Sequence, residues 1–474
     1  MENEFNNQKS LRVAILGSGP AGFYTAEHLF KKADYDFHID MFDRLPTPHG
    51  LVRLGVAPDH QKIKSVTRVF DKIAANPKFH FFGYVEYGKH IHMEDLKRHY
   101  HIIVFTTGAQ TDRKMNIVGE EIKGSHTATE FVAWYNGHPY YRDYKFDLSQ
   151  ESVAIIGVGN VAVDVARILC RTIEELEQTD ITDYALEALK ESRIKKVYLL
   201  GRRGPVQAAF TNPEIRELGK MEGADIITLA GEVELDDITK SYLEENEDNA
   251  AQKKMEILSS YAEDRELTKP RNLELRFLVS PIEIIGDDNG HVSGLKLVKN
   301  ELYLSEDGSI RPRATENYEN IDVGLVFRSI GYQGVPLPEV PFHEKSGVIS
   351  NEKGRVTDTE TGEHLHGIYT SGWIKRGPTG VIGTNKLDSG ETVECVIEDI
   401  EKGNINTPEQ AHPDHARALI TNRQPDHFTY DDWISLNELE LSIGEQGGRP
   451  RKKYTSIDEM IKAIKHSDKA ANGS

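Results

Sequence analysis

This chain contains two glycine-rich segments whose residue types and spacing are typical of loops that bind the diphosphate of a nucleotide. The first consists of Gly17, Ser18, Gly19, Pro20, Ala21 and Gly22, and the second of Gly157, Val158, Gly159, Asn160, Val161 and Ala162. Each follows a short apolar run and precedes a helix-like run, the context in which such glycines form a tight turn. The turn brings a helix N-terminus against a pyrophosphate. The sequence therefore predicts two dinucleotide sites, with electrons passing from one dinucleotide to the other.

The residues that follow the second strand of each unit distinguish the two dinucleotides. The predicted strand 37–42 ends at Asp43, whose carboxylate suits the free ribose hydroxyls of FAD or NAD. The predicted strand 196–200 leads instead to Arg202 and Arg203, with no acid at the strand end. Two guanidiniums suit a 2′-phosphate, because arginine binds phosphate through a planar fork of donors. The first site is therefore interpreted as an FAD site and the second as a site for NADPH or NADP⁺.

The composition of the chain argues against several classes of function. The chain has 474 residues, a formal net charge of −19 and two cysteines, Cys170 and Cys395. The negative charge disfavours non-specific nucleic-acid binding, and a C-x-x-C redox pair is absent. No zinc-type spacing occurs, so no metal site is expected. No apolar run is long enough for a membrane span, and residues 1–10 lack the apolar region of a signal peptide. A cytoplasmic, bacterial protein is expected.

Alternating strand and helix patterns predict an α/β fold with parallel sheets. We expect two Rossmann-like dinucleotide-binding domains, with the NADP domain inserted into the FAD domain, as in glutathione-reductase-like two-domain flavoproteins. Apolar strands at 101–109 and 324–332 mark the expected crossings between domains. The predicted boundaries are residues 1–108 for the first part of the FAD domain, 109–331 for the NADP domain, and 332–474 for the second part of the FAD domain with a C-terminal wrap.

Four other segments have a predicted conformation. Residues 171–193 are expected to extend the helix after the second glycine loop, and residues 385–401 to form a helix after the loop 377–382. A helical excursion is predicted for 232–270, which begins with eight acids and one lysine between Glu232 and Asp248. Residues 403–474 are expected to form a peripheral wrap with short helices.

Several longer blocks resemble the adrenodoxin reductase family, including the bacterial adrenodoxin-reductase-like ferredoxin–NADP reductases. The likeness covers nearly the whole chain. The blocks that carry it are Gly17–Ala26, Gly50–His60, Asp164–Arg167, Gly201–Pro205, Ala209–Thr211, Ser371–Ile382 and Asp431–Trp433.

The resemblance implies a set of cofactor contacts. For FAD these are Gly17, Ser18, Gly19, Pro20, Ala21, Gly22, Asp43, Leu51, Tyr87, Trp373, Gly380, Val381 and Ile382. For NADP they are Arg113, Gly159, Asn160, Val161, Ala162, Arg202, Arg203 and Glu214. Two positions depart from the family: Asp43 replaces a glutamate, and Tyr87 replaces an aliphatic residue near the adenine.

The resemblance also implies a reaction and a partner. His60, Asp164 and Glu214 are the expected catalytic residues, placed near the flavin and nicotinamide, where they tune the flavin or relay protons. The expected activity passes electrons singly from NADPH via FAD to a ferredoxin-type iron–sulfur protein. A flavodoxin or another acceptor, or an NADPH-sensing flavoprotein module, is the alternative. The acidic ferredoxin is expected to dock near a local basic face made of Arg216, Lys253, Lys254, Lys375 and Arg376.

Overall fold

The computed structural model describes residues 10–263 and 266–472. The expectation about a signal peptide depends on the first nine residues, which lie outside the described part. The chain divides into two compact units. Unit 1 contains the residues up to Val56, then His60–Thr111, and then the chain from Gly331 onward. Unit 2 contains Ala57–Asp59 and Asp112–Ile330. The assignment of one nucleotide to each unit stays a prediction here.

The first part of the chain alternates strands and helices from the start. Its elements are β1 (Ser10–Leu16), α1 (Pro20–Phe30), β2 (Asp36–Asp43), α2 (Leu51–Leu54), α3 (Gln61–Lys64), α4 (Thr67–Ala74), β3 (Phe79–Gly83), α5 (Met93–His99) and β4 (Ile102–Phe105).

The middle part contains most of the helices of unit 2 and a short 3₁₀ turn, Pro139–Tyr141. Its elements are β5 (Thr111–Asp112), β6 (Ser125–Thr127), α6 (Ala128–Asn136), β7 (Ser152–Ile156), α7 (Asn160–Cys170), α8 (Ile173–Glu177), α9 (Asp183–Lys190), β8 (Lys196–Leu200), α10 (Asn212–Leu218), β9 (Ala224–Thr228), α11 (Ala230–Val233), α12 (Asp237–Asn246), α13 (Asn249–Ser260), β10 (Arg271–Arg276), β11 (Val279–Gly286), β12 (Val292–Leu304), β13 (Ile310–Ile321) and β14 (Leu325–Arg328).

The last part begins with short strands and ends with long helices. Its elements are β15 (Tyr332–Gln333), β16 (Phe342–His343), β17 (Val348–Ile349), β18 (Asn351–Glu352), β19 (Arg355–Thr357), β20 (His364–Thr370), α14 (Trp373–Arg376), α15 (Thr384–Lys402), α16 (Pro413–Arg423), α17 (Tyr430–Gln446) and α18 (Ile457–Asn472).

Unit 1 is built on a seven-stranded sheet in the order β18-β19-β20-β4-β1-β2-β3. The strand β1 lies between β2 and β4 and is parallel to both. After β1 the chain forms β2 on one side of it and later forms β4 on its other side. The topological switch point therefore lies between β1 and β4. Nucleotides bind at the carboxyl ends of strands at such a point, which is where the first glycine loop lies.

Unit 2 repeats this arrangement in a six-stranded sheet in the order β6-β14-β7-β8-β10-β9. Here β7 lies between β8 and β14, again parallel to both, and the second glycine loop follows β7. A separate antiparallel sheet, β11-β12-β13, also belongs to unit 2. In unit 1 the strands β20, β4, β1, β2 and β3 are parallel, while β18 and β19 add antiparallel pairs at one edge. The parallel strands of both units and their covering helices confirm the predicted α/β class with two Rossmann-like folds.

Two predicted segments differ in detail from the structure. Residues 171–193 do not extend α7; the helix ends at Cys170 because Arg171 adopts an extended conformation, and α8 and α9 follow. Thr172 starts α8 through a capping box with Glu175. In the C-terminal segment the helices are long rather than short. They have a hydrophobic cluster of their own that includes Phe428, Trp433 and Met460.

A buried carboxylate attaches this C-terminal segment to the rest of unit 1. Glu440 is fully buried and accepts hydrogen bonds from Arg53 at 2.8 and 2.5 Å and from Arg451 at 2.7 Å. Burial opposes ionisation, but the two guanidiniums outweigh it and hold the pKa of Glu440 below its usual range. Because Arg53 lies in α2, this ion pair holds the segment that follows Gly50 against α17.

No helix among the described residues combines the length and the apolar character needed to cross a lipid bilayer.

Replacing Glu440 with glutamine should destabilise unit 1 by about 3 kcal/mol at pH 7, because two partly or fully buried guanidiniums lose their counter-ion. A carboxyl group with a lowered folded-state pKa stabilises above its unfolded pKa of about 4.3 and loses that contribution as the pH falls. The difference between wild type and Glu440→Gln should therefore shrink below about pH 4. Urea unfolding of both proteins at pH 7 and below about pH 4 measures this difference in the free energy of unfolding. The matched control is Glu445→Gln, on the exposed side of α17; equal midpoints for Glu440→Gln and wild type at pH 7 would contradict the assignment.

Candidate functional site

The first glycine loop is shaped by backbone contacts that exclude side chains. Gly17 has φ of 115°, and a Cβ atom on it would lie 2.5 Å from the carbonyl oxygen of Thr106, which follows β4. A Cβ on Gly22 would lie 2.2 Å from the carbonyl oxygen of Gly17. Gly19, by contrast, has no atom within 4 Å of its Cβ position. The loop is therefore closed toward the sheet and open at Gly19, where a ligand can approach the backbone.

The second glycine loop has the same construction in unit 2. Gly157 has φ of 128°, and its Cβ would lie 2.1 Å from the carbonyl oxygen of Ser329, which follows β14. Nothing lies within 4 Å of the Cβ position of Gly159. Ala162 takes the place of the third glycine and is fully buried. Both loops thus leave an open backbone surface, as a bound pyrophosphate requires.

Both helices that follow the loops begin without a side-chain cap. Gly19 and Gly159 occupy the N-cap positions of α1 and α7, and neither helix has a side chain bonded to its first amides. Pro20 opens α1, and the side-chain oxygen of Asn160 instead accepts a hydrogen bond from the amide of Thr211 at 3.0 Å. The amides and the positive end of each helix dipole are therefore available to an anion.

Asp43 lies at the end of β2, as predicted, and holds the first loop. Its Oδ2 accepts hydrogen bonds from the amide and hydroxyl of Ser18 at 2.9 and 2.6 Å, and its Oδ1 accepts one from the amide of Leu45 at 2.9 Å. A carboxylate offers about four lone-pair positions. Asp43 can therefore fix the loop and still accept a hydrogen bond from one ribose hydroxyl.

The segment 371–377 is held by a carboxylate on α15 that sequence reasoning missed. Asp388 accepts hydrogen bonds from the amide of Gly372 and from the hydroxyl of Ser371, and its Oδ2 lies 3.2 Å from Nη1 of Arg376. The indole of Trp373 donates to the carbonyl of Thr379 at 3.2 Å and closes the turn. The helix α15 begins at Thr384, with Gly383 as an N-cap that has no side-chain bond.

The remaining residues expected to contact FAD are partly accessible. Leu51 and Val381 are 42% and 60% exposed, Gly380 is exposed, and Ile382 is half-buried. Tyr87 packs edge-on against Phe105 in unit 1 and donates its hydroxyl to the carbonyl of Pro338 at 2.7 Å. Burial raises the pKa of the Tyr87 phenol.

Arg202 and Arg203 follow β8 and line a pocket of about 450 Å³ in unit 2. Arg202 is exposed and Arg203 is half-buried. Within the described residues, neither guanidinium forms an ion pair with a carboxylate. Burial and the neighbouring Arg202 charge lower the pKa of Arg203, which indicates positive potential without a counter-ion. Arg113 is exposed in the same unit.

A buried guanidinium brings two of the predicted catalytic residues together. Arg167 is fully buried in α7 and lies 2.6 Å from Asp164 and 3.0 Å from Glu214. It also lies 2.6 Å from Asp59, which belongs to the same unit. Although burial favours a neutral guanidinium, the carboxylates of Asp164 and Asp59 outweigh it and raise the pKa of Arg167. His60, the third predicted residue, is the N-cap residue of α3 in unit 1.

The structure corrects one residue of the predicted docking face. Lys375 is only 7% exposed, and its ammonium lies 2.7 Å from Glu391 and 3.3 Å from Asp388. The prediction placed Lys375 on the docking face because it lies beside the motif expected to contact the flavin, but its charge is paired with two acidic residues of α15. Arg376 is half-buried and paired with Asp388, whereas Arg216 and Lys253 are exposed. Lys254 is half-buried and donates to the carbonyl of Ala208 at 2.5 Å.

Comparison with known proteins places this geometry among flavoprotein reductases. The family profile of pyridine nucleotide-disulphide oxidoreductases matches residues 11–379. The NADPH-ferredoxin reductase FprA of Mycobacterium tuberculosis is 42% identical over 463 residues, which cover 95% of this chain and 98% of that protein. The mitochondrial NADPH:adrenodoxin oxidoreductase of Arabidopsis thaliana is 39% identical, with 96% of each chain covered.

A solved structure gives the same result. FprA from Mycobacterium tuberculosis in complex with NADPH has a TM-score of 0.88 and 41% identity, covering 96% of this chain and 100% of that one. The predicted resemblance is thereby confirmed over nearly the whole length. The two glycine loops, each at a switch point of its own parallel sheet, are part of that shared fold. The chain therefore belongs to the pyridine nucleotide-disulphide oxidoreductase family, in the group that contains the NADPH-ferredoxin and adrenodoxin reductases.

Proposed function

We propose that the protein is an NADPH-dependent FAD flavoprotein, a ferredoxin–NADP⁺ reductase that passes electrons singly to a ferredoxin-type iron–sulfur protein. The observation that carries the proposal is the pair of open glycine loops with opposite charges after the second strand, Asp43 in unit 1 and Arg202 with Arg203 in unit 2. The relatives named NADPH-ferredoxin reductase and NADPH:adrenodoxin oxidoreductase support the same reaction. FAD, when bound, supplies the chemistry that converts a two-electron donor into a one-electron donor.

The residues of unit 1 fit FAD. The open backbone at Gly19 and the uncapped N-terminus of α1 receive the pyrophosphate, while Asp43 accepts a ribose hydroxyl. Trp373 and the turn 380–382 would lie against the flavin. The N-terminus of α15 follows this turn, and the positive end of its dipole stabilises negative charge at the ring.

The residues of unit 2 fit NADPH. The N-terminus of α7, with Gly159, Asn160, Val161 and Ala162, receives the second pyrophosphate. Arg202 and Arg203 bind the 2′-phosphate, which supplies the counter-charge that no described carboxylate provides.

Arg167 acts as a positioning residue for the acidic groups. It holds the side chains of Asp164 and Glu214 in fixed orientations, because its guanidinium donates hydrogen bonds to them at 2.6 and 3.0 Å. His60 and Asp164 are proposed to hold or relay a proton near the flavin, and Glu214 to orient the nicotinamide.

The docking surface for ferredoxin is proposed on α10 and α13 of unit 2, with Arg216 and Lys253 as its exposed cations. The two helices are joined by a hydrogen bond of 2.9 Å from the side chain of Asn212 to the carbonyl of Ala250. Arg216 and Lys253 attract an acidic partner at close approach, since screening by salt limits the repulsion from the net charge of −19 to short range.

A bacterial cytoplasmic location is proposed as well. Both cysteines, Cys170 and Cys395, are buried and unpaired, which suits a reducing compartment.

The Arg202→Ala/Arg203→Ala variant should lose about 30- to 1,000-fold in kcat/KM for NADPH while the value for NADH stays unchanged, because two charge-assisted contacts to the 2′-phosphate disappear. Steady-state ferricyanide reduction with each nucleotide measures this. The control is Arg193→Ala, an exposed arginine that precedes β8 at the opposite end of the strand. A double variant that keeps its preference for NADPH would show that the 2′-phosphate binds elsewhere.

Asp164→Asn and His60→Gln should each change the rate at which NADPH reduces the bound flavin and the dependence of that rate on pH, while FAD stays bound. The reason is that each substitution removes a side chain proposed to hold or relay a proton near the flavin. Stopped-flow absorbance from about pH 6 to about pH 9 gives the profile. Asp237→Asn, in the first turn of α12 and fully exposed, is the control. If the pH dependence of flavin reduction is identical to wild type in both variants, the two residues have only a structural role.

Ferredoxin-dependent cytochrome c reduction should fall steeply between low salt and about 0.5 M salt, because rim charges act mainly on the association rate. Arg216→Glu and Lys253→Glu should lower this rate but leave direct ferricyanide reduction unchanged. Lys195→Glu, an exposed lysine before β8, is the matched control.

The same assay tests the proposed function. Flavin that NADPH reduces but that no ferredoxin reoxidises would favour a flavodoxin or another acceptor. Flavin that NADPH does not reduce would favour the NADPH-sensing alternative and refute the reductase.

A further inference from the structure

The pocket beside Arg202 and Arg203 has a third arginine that neither the motif nor the fold predicts. Arg311 and Tyr303, its cross-strand partner, both line this pocket of about 450 Å³. Both come from the hairpin of β12 and β13, about 100 residues further along the chain from the arginine pair. Among the residues that the structure describes, none of those lining the pocket is acidic. It therefore concentrates positive charge in a concave site, the arrangement that binds a phosphate dianion.

The hairpin is attached to the arginine pair by one direct hydrogen bond and by a second connection through Leu278. The side-chain amide of Asn300, in β12, donates to the carbonyl of Arg202 at 2.8 Å. The amide of Leu278, which precedes β11, donates to the carbonyl of Arg203 at 3.1 Å, and the amide of Asn300 donates to the carbonyl of Leu278 at 2.7 Å. Leu302 packs beside Gly204, with its Cδ1 atom 3.4 Å from the position of a Cβ there. The hairpin and the end of β8 are thus fixed relative to each other within unit 2.

Arg311 is oriented but retains donors for a ligand. It pairs with Tyr303 across the two strands. Its Nε donates to the hydroxyl of Ser309 at 2.9 Å, and its Nη2 donates to Asp307 at 2.5 Å. Its Nη1 donates to no group in the part of the chain that the structure describes. A guanidinium has five N–H donors, so Arg311 can keep its contacts with Ser309 and Asp307 and still bind an anion.

We propose that Arg311 is a specificity-determining residue that binds the 2′-phosphate of NADPH together with Arg202 and Arg203. The inference rests on the proposed NADPH function, since it names a further contact of that site. The 2′-phosphate carries nearly two negative charges at neutral pH and three acceptor oxygens. Three guanidiniums from two separate chain segments match that charge and number of acceptors better than the adjacent pair alone.

Asp307 limits the strength of this contact. Its carboxylate accepts one of the Arg311 donors and partly neutralises the guanidinium at the pocket rim. The substitution Asp307→Asn should keep the hairpin turn but remove the carboxylate charge that competes with a phosphate for Arg311. The affinity for a 2′-phosphate should then rise, and the rise should depend on Arg311.

The test compares the binding of 2′,5′-ADP and 5′-ADP to the oxidised, FAD-loaded protein by titration calorimetry. Arg311→Gln should lower the affinity for 2′,5′-ADP by about five- to tenfold, because a half-exposed charge-assisted contact is lost. The affinity for 5′-ADP should stay unchanged. Asp307→Asn should tighten 2′,5′-ADP by about two- to threefold, and adding Arg311→Gln should abolish that gain.

Arg313→Gln is the matched control. Arg313 lies two residues further along β13, is 64% exposed compared with 53% for Arg311, and is paired with Glu301. It does not line the pocket. Its removal changes the net charge equally, so both affinities should stay within about twofold of wild type.

The outcomes separate this inference from the proposed function. A preference for 2′,5′-ADP that is lost in Arg202→Ala/Arg203→Ala but unchanged in Arg311→Gln would overturn the role of Arg311 and leave the NADPH assignment intact. Equal weakening of both ligands, or equal effects of Arg311→Gln and Arg313→Gln, would also overturn it. A wild-type protein that does not prefer 2′,5′-ADP over 5′-ADP would overturn both proposals.

Discussion

Both proposed nucleotide sites depend on one steric constraint, the close approach of a glycine in the turn after β1 or β7 to the backbone that follows a neighbouring strand. In unit 1 this places Gly17 against the carbonyl of Thr106, and in unit 2 it places Gly157 against the carbonyl of Ser329. Any side chain at either glycine would push the turn away from the sheet and shift the helix that follows. Because the N-termini of α1 and α7 have no side-chain cap, the same contact determines the packing of the turn on the sheet and the position of the amides proposed to bind each nucleotide.

Around the first site, buried carboxylates hold segments that are far apart in the chain. Asp388 of α15 fixes the turn at Gly372, and Glu440 of α17 fixes Arg53 in α2. Each carboxylate accepts several charge-assisted hydrogen bonds, so its removal leaves buried donors unpaired, which costs more than the bond itself contributes. The C-terminal helices therefore stabilise the segment after Gly50 through a specific ion pair in addition to hydrophobic contact.

The features that the sequence predicts well are those with local causes. A glycine loop between a strand and a helix is specified within about ten residues, and the helix predicted at 385–401 is found at Thr384–Lys402. The interruption at Arg171 also had a local signal, the capping box of Thr172 and Glu175. By contrast, the burial of Lys375 depends on acids in α15, and such side-chain pairings between elements leave no pattern in a single sequence. The same holds for Asp59, whose partner Arg167 is about 100 residues away.

The arginines of unit 2 show how the surroundings of one residue type decide its role. Arg167 has three carboxylates and no exposure, so its charge is satisfied within the protein. Arg202 and Arg203 have no described carboxylate partner. Arg203 is half-buried, and a half-buried cation without a counter-ion is costly unless a ligand supplies one. Arg311 has one acidic partner at an exposed rim. Its charge is only partly neutralised, which is the property that its proposed role in adjusting the affinity for a 2′-phosphate requires.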